Sequence, residues 1–117
     1  MITITTPRQF AEFADLQMFP YLDLIADSQL MNLKGVGKTS DEYLLAIMII
    51  SLIAEIKMIV KRRLINSQSK TLKIKMSTAQ GIAFYKTLLT LPVPDSNFYF
   101  NRIRNLWIET LDQQIVK

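Results

Sequence analysis

The sequence predicts a mainly α-helical fold, with about five helices around a long central apolar helix at about residues 40–66 and a minor two-stranded β element. Three observations predict this fold. Apolar residues recur at helical spacing along most of the chain, and residues 43–54 form a nearly continuous apolar run. Only about 2–5 and about 71–76 alternate apolar and polar side chains, as strands do. The length of 117 residues predicts a single helical domain spanning 1–117.

The central helix has recognisable start and stop signals. Thr39 followed by Glu42 is a capping-box pattern, and Lys61, Arg62 and Arg63 fall in the last turns, where cations interact favourably with the helix carbonyls. For three turns no face is polar, so we expect the first half of the helix to be enclosed on all sides. The second half narrows to one apolar stripe and should have one exposed face.

The apolar run is too short to predict a membrane span. Glu55 and Lys57 interrupt it, whereas a bilayer needs about 20 predominantly apolar residues. We therefore expect a core helix and no membrane.

The N-terminal region predicts a strand followed by two helices. Residues 2–5 alternate isoleucine and threonine, and Thr6 with Gln9 is a capping box with Pro7 at the first helical position. We expect Pro20 to end the first helix, and it can begin a second one, because proline is tolerated in the first turn of a helix.

The region after the central helix predicts a second strand and two more helices. Residues 71–76 need a partner strand, which is either residues 2–5 of the same chain or the edge of a neighbouring molecule. Ser77 with Gln80 is a further capping box, and Asp95 or Ser96 is expected to cap the last helix.

Composition argues against several classes of active site. Cysteine and histidine are both absent, which removes disulfides, thiolate metal sites, cysteine nucleophiles and the usual proton shuttle. The acidic pairs Glu12/Asp15 and Asp23/Asp27 have the spacing of solvated helix faces. We predict no enzyme, no catalytic residue, no metal, no cofactor and no small-molecule substrate.

One loop partly resembles a phosphate-binding loop. Gly37-Lys38-Thr39 matches the end of the pattern, but Asn32 stands where the first glycine belongs, and the preceding segment is predicted to be helical. A turn with an N-cap threonine explains the same residues. Nucleotide binding is therefore the weaker alternative.

The positive charge is concentrated in one part of the chain. Residues 56–94 hold eight basic and no acidic side chains. Such a stretch could contact phosphates, so a nucleic-acid-binding module using 57–75 is the main alternative function. The possible nucleic-acid contacts are Lys61, Arg62, Arg63, Lys70, Lys73 and Lys75. The same cations also suit a helix C-terminus and an outer strand face.

The favoured function follows from the amount of apolar surface. Four other helices must bury their own apolar faces and also surround a helix that is apolar all round, so we expect a partner protein to cover part of it. The sequence thus predicts a non-enzymatic structural or interaction protein, a subunit of a homo- or hetero-oligomeric assembly. The possible interface residues are Tyr43, Ile47, Ile50, Tyr99 and Trp107.

In size and order of helices the whole chain resembles small helical accessory or connector proteins of tailed bacteriophage particles. The resemblance implies a virion component and transfers no site residue. The N-terminus lacks the basic and apolar regions of a secretory signal, so the expected location is the cytoplasm or a virion.

Overall fold

The computed structural model describes residues 1–33, 41–91 and 97–115, without the side chains of Gln29, Asn32 and Leu33. The mainly helical class is confirmed, and the sheet is two-stranded and antiparallel. In chain order the elements are β1 (Ile2–Pro7), α1 (Arg8–Phe13), a π-helical turn (Ala14–Met18), α2 (Phe19–Leu33), α3 (Asp41–Asn66), β2 (Thr71–Met76), α4 (Thr78–Thr90) and α5 (Phe98–Ile115).

Four helices rather than five are present in the described part of the chain, because α1, the π-helical turn and α2 are continuous. The prediction that Pro20 separates two helices is wrong. Proline lacks an N–H group and its ring collides with the carbonyl four residues earlier. The preceding turn is widened, since the Phe19 N–H bonds to the carbonyl of Ala14, five residues back. A π-helical turn of this kind lets the helix continue past the proline.

The two strands pair within one chain, in one of the two ways that the sequence left open. Ile2 lies opposite Met76 and Pro7 lies opposite Thr71. The alternating isoleucines of β1 and the apolar residues of β2 face the core, while Lys73 and Lys75 face outward. On β1, the backbone N–H and C=O of Thr3 bond to the side chain of Gln114 at 2.9 and 2.7 Å, so α5 satisfies backbone groups of an edge strand.

The predicted capping boxes have different outcomes. Ser77 and Gln80 form the predicted box at the start of α4, with bonds of 2.8 and 3.1 Å. Thr6 does not cap α1, because β1 continues to Pro7 and the buried Thr6 hydroxyl accepts a bond from Trp107. Asn97 caps α5 instead of Asp95 or Ser96, since its Oδ1 accepts the Phe100 N–H at 3.1 Å. Thr39, Asp95 and Ser96 lie outside the described residues.

The core lies between the sheet, the α1–α2 segment, α4, α5 and only the second half of α3. Trp107, Phe84 and Phe19 form its aromatic centre, with ring centroids about 6 Å apart from one to the next. From α3 only Ile53, Ile56 and Val60 are fully buried. The expectation that the first half of α3 is enclosed is therefore wrong. In the described structure the sheet and α5 pack elsewhere, and α2 and α4 cover only one side of that half.

Candidate functional site

Helices α2 and α3 form an antiparallel hairpin. Two ion pairs connect its helices: Asp23 lies 3.2 Å from Lys57, and Asp15, in the preceding π-helical turn, lies 3.9 Å from Lys61. Asp15 comes before Asp23 in the chain, whereas its partner Lys61 comes after Lys57, so the two helices run in opposite directions. These contacts account for Asp15 and Asp23, and no cluster of three potential metal ligands occurs among the described residues.

The end of the hairpin exposes large apolar side chains. Leu44 and Met48 of α3 are each 54% exposed, and Met31 of α2 is 70% exposed. Leu45 and Ile47 on the same half of α3 are also exposed, as is Leu24 further along α2. A contiguous exposed apolar surface on a soluble domain usually marks an interaction site, whereas single exposed leucines do not.

A second apolar stripe runs along the solvent face of α3, opposite its core face. We call it the outer stripe. It consists of Leu44, Ile47, Ser51, Ala54, Met58 and Ile65, all of them exposed. The spacing of three and four residues places these positions on one side of the helix. The outer stripe extends beyond the hairpin end into the half of α3 whose other face lies in the core.

A cleft of about 280 Å³ lies where α3 emerges from the body of the protein, between α2, α3 and α4. Ile25, Ile49 and Ile50 supply much of its wall, and Thr87 and Lys86 supply polar groups. The walls hold one acid, Asp23, which already pairs with Lys57. The cleft therefore offers an apolar recess next to the exposed hairpin end rather than a set of catalytic groups.

Of the five possible interface residues, three lie on α3 and two lie on α5. Tyr43, Ile47 and Ile50 lie together on the first half of α3. Tyr99 is partly exposed on α5, where its ring packs edge-on against Phe13 with centroids 4.8 Å apart.

Trp107 is fully buried and donates its indole N–H to Thr6 Oγ1 at 3.0 Å. Its assignment to an interface is therefore wrong, because β1 and the core cover it. The sequence reasoning missed Leu44, Leu45, Met48, Met58 and Ile65, although the all-round apolar character of α3 was the available signal.

The basic stretch is only partly gathered into one place. Arg62, Arg63, Lys73 and Lys75 line a groove of about 280 Å³ with Ile59, which we call the basic groove. Within the groove, Arg63 Nε donates to the Lys73 carbonyl at 2.9 Å. Lys61 instead pairs with Asp15, and Lys70 is exposed just before β2, with its carbonyl bonded to the Arg8 N–H at 2.7 Å.

By length and composition alone, α3 meets the criterion for a helix that could cross a membrane, and 17% of its most apolar window is buried. Core helices of soluble proteins meet the same criterion, so this finding does not by itself indicate a membrane.

Comparison with known proteins identifies no relative. No protein-family model, no curated protein and no solved structure matches the chain. The functional assignment therefore depends on the surfaces described above.

Proposed function

We propose that this protein is a non-enzymatic interaction protein, a subunit of a homo- or hetero-oligomeric assembly that buries the exposed apolar end of the α2–α3 hairpin. The observation that carries the proposal is the exposure of Leu44, Leu45 and Met48 on a helix half that has no polar face. In the described structure the other elements leave these side chains in water.

The free energy at stake is large for a domain of this size. Fully burying one Leu, Ile or Met side chain contributes about 1.5–3 kcal/mol. A small domain has a total stability of about 5–15 kcal/mol. Covering several half-exposed side chains would thus contribute a sizeable fraction of that total, and a partner protein is a direct way to obtain it.

The dimensions of α3 support a protein partner over a bilayer. Its uninterrupted apolar run, residues 43–54, is about 18 Å long, whereas the hydrocarbon core of a bilayer is about 30 Å thick. Lys57 follows the run and pairs with Asp23, and Ile56 and Val60 are core residues of the protein. Extending the apolar segment to membrane length would require pulling these residues out of the core.

The test measures the molar mass of the wild type by light scattering at micromolar concentration. We expect an oligomer, and we expect Leu44→Glu/Met48→Glu to dissociate it, because two charges would have to be buried. Leu16→Glu is a control, since Leu16 is also exposed, at 74%, but lies in the π-helical turn, away from the hairpin end. A wild type that is strictly monomeric and has no partner protein, flotation of the wild type with lipid vesicles, or an oligomer insensitive to the double substitution would contradict the proposal.

The basic groove favours one second candidate, a nucleic-acid-binding module. Its support is that two arginines and two lysines line one groove without an acidic side chain. Each phosphate contact contributes to binding that weakens as salt rises. Under this hypothesis Lys73→Glu/Lys75→Glu abolishes retention on a polyanion column, while Lys86→Glu/Arg102→Glu, the same charge change elsewhere, retains it. Absence of retention of the wild type at low salt would contradict this candidate.

The remaining hypotheses rest on the sequence. Gly37-Lys38-Thr39 lies outside the described residues, and nucleotide binding there requires that ATP or GTP with Mg²⁺ raise the melting temperature. A virion setting is suggested by the resemblance to phage accessory proteins.

A further inference from the structure

We infer that the partner is a second copy of this chain, and that two α3 helices pack antiparallel along the outer stripe around a two-fold axis beside Ser51 and Ala54. This inference rests on the proposed function and specifies its partner and geometry. Three features of α3 support it: the spacing of the stripe, the sizes of its side chains and the charges at the two ends of the helix.

The spacing of the outer stripe is that of a two-helix seam. From Leu44 the positions follow at intervals of three and four to Met58, and Ile65 follows one heptad later. Apolar residues that repeat in this way let two helices wind around each other. Met58 is 51% exposed and Ile65 is 77% exposed, so the stripe continues beyond the hairpin end, and Lys61, which pairs with Asp15, interrupts it between these two residues. In a single chain, α3 thus has apolar residues at helical spacing on two opposite faces, one toward the core and one toward solvent.

The side-chain sizes along the stripe fit an antiparallel partner. Ser51 and Ala54, the smallest members, lie at its centre, with Ile47 on one side and Met58 on the other. In an antiparallel pair centred between Ser51 and Ala54, each small residue faces a small residue of the other copy. Ile47 then faces Met58 of the other copy. Small residues at the crossing point permit close approach, and the larger ones fill the space on either side.

The charges distinguish the antiparallel from the parallel arrangement. Helix α3 carries Asp41 and Glu42 in its first turn and Arg62 and Arg63 near its end. The antiparallel pairing places Asp41 beside Arg62 of the other copy, twice by symmetry, and aligns the helix dipoles in opposite directions. A parallel pair would set the basic ends against each other, which is unfavourable. The two-fold operation makes both copies use the same part of the stripe, from Ile47 to Met58, and closes the assembly as a dimer.

Cross-linking tests the orientation. The chain has no cysteine, so single substitutions report one position each. Ile47→Cys and Met58→Cys, mixed in equal amounts and oxidised, should give a disulfide between the two variants and little disulfide within either one. A parallel dimer would instead join each variant to itself, and that result would overturn the inference.

A charge exchange tests the register. We expect Asp41→Arg alone, and Arg62→Asp alone, to weaken self-association about tenfold or more, because each creates two like-charged contacts. An equal mixture of the two variants should recover association, since every Asp–Arg contact is restored between unlike chains. Glu109→Arg and Arg102→Asp on α5 are controls that should have no such effect. Failure of the mixture to recover association would overturn the inferred register.

A further variant distinguishes a failure of this inference from a failure of the proposed function. We expect Met58→Glu, outside the hairpin end, to produce a folded monomer with the wild-type circular dichroism spectrum. If Met58→Glu stays oligomeric while Leu44→Glu/Met48→Glu dissociates, the antiparallel pairing is wrong and the assembly function stands. If the wild type itself is monomeric at micromolar concentration, the inferred dimer is overturned, and the assembly function then requires a different protein as the partner.

Discussion

At the scale of single residues, the buried hydrogen bond between Trp107 and Thr6 connects the first strand to the last helix. Both groups are fully buried, and the Nε1–Oγ1 distance is 3.0 Å. Thr6→Val keeps the shape of the side chain and removes the acceptor, which leaves the indole N–H unpaired. We expect a loss of about 1–3 kcal/mol in the free energy of unfolding, measured by urea denaturation. Thr5→Val, an exposed position on the other face of β1, should change it by less than about 0.5 kcal/mol. Equal urea midpoints for the two variants would contradict this role.

Tyr85 and Asp112 connect α4 to α5 in a way that depends on pH. The Tyr85 hydroxyl donates to Asp112 Oδ1 at 2.6 Å, and this hydrogen bond to a carboxylate raises the pKa of Tyr85 above its ordinary value of 10.0. A raised pKa means that the folded state favours the neutral phenol. The stabilisation is therefore complete below about pH 10 and is lost as the pH rises through the raised value.

The corresponding measurement compares urea midpoints between about pH 8 and about pH 11, on either side of the ordinary tyrosine pKa. Wild type should lose more stability over this range than Tyr85→Phe. Asp112→Asn should behave like Tyr85→Phe, because the charged acceptor is gone. Parallel pH profiles for wild type and Tyr85→Phe would show that the bond does not contribute.

Gly81 shows how a residue can carry a constraint that the sequence hides. In a helix, glycine has a lower helix propensity than alanine, and the residues around Gly81 in the sequence show no reason for it. In the folded protein, a Cβ at Gly81 would lie 2.3 Å from Cδ1 of Ile2, a buried residue of β1. The glycine is therefore where α4 approaches the sheet, a requirement that depends on a residue far away in the chain.

At the scale of elements, Arg8 holds the end of α3. Its Nη2 donates to the Leu64 carbonyl at 2.8 Å, its Nη1 donates to the Ser67 carbonyl, and its Nε pairs with Glu12 at 2.8 Å. The last carbonyls of a helix have no partner within the helix and carry a partial negative charge, so a forked cation is well suited to them. Arg8 thus connects the start of α1 to the C-terminus of the long helix.

We expect Arg8→Met to lower the free energy of unfolding by about 2 kcal/mol, because two charge-assisted bonds to carbonyls are lost from a site that is about one quarter exposed. Hydrogen exchange should also accelerate at the end of α3. Arg8→Lys should recover only part of the loss, since an ammonium cannot reproduce the fork. Arg102→Met, on the exposed surface of α5, is the control. If Arg8→Met and Arg102→Met destabilise equally, the proposed role of Arg8 is wrong.

The elements that the sequence predicted correctly are those whose signals are local. The alternation in residues 71–76 and the Ser77–Gln80 box each depend on neighbours within a few positions. One error arises where a distant group competes for the same residue, and another arises where a local widening of the helix accommodates a proline. Thr6 has a capping sequence, but Trp107 takes its hydroxyl. Pro20 should interrupt a helix, but the widened turn before it accommodates the ring.

The sequence indicated that α3 has more apolar surface than the other elements can cover, but not which of its residues are exposed. The all-round apolar run in α3 indicated a surface in need of cover, and Tyr43, Ile47 and Ile50 do lie on that half of the helix. The pattern could not show which face the core would use, because that depends on how α2 and α4 pack. For the same reason the basic stretch did not reveal that Lys61 turns toward Asp15 while Arg62 and Lys73 share a groove.

At the scale of the whole molecule, the long helix makes the protein elongated. The radius of gyration is 14.5 Å, against about 13 Å for a compact domain of this length, and the longest dimension is 46 Å. A chain that buried α3 on all sides would be rounder. The elongated shape and the outer stripe have the same origin: there are too few other elements to surround a helix of about 40 Å.

If a second copy covers this helix, part of the stability belongs to the dimer and depends on protein concentration. For a dimer that dissociates as it unfolds, a tenfold rise in concentration stabilises each chain by about 0.7 kcal/mol, which corresponds to a rise of about 3 °C in melting temperature. We expect this rise for the wild type in scanning calorimetry between about 10 and about 100 μM, a range above the micromolar concentration at which the dimer is expected to form. Met58→Glu should have a lower melting temperature at every concentration, and that temperature should not depend on concentration, because this variant remains monomeric. A wild-type melting temperature that is constant over this range would mean that the exposed apolar face of α3 is stable in water, and the dimer would then contribute nothing to the fold.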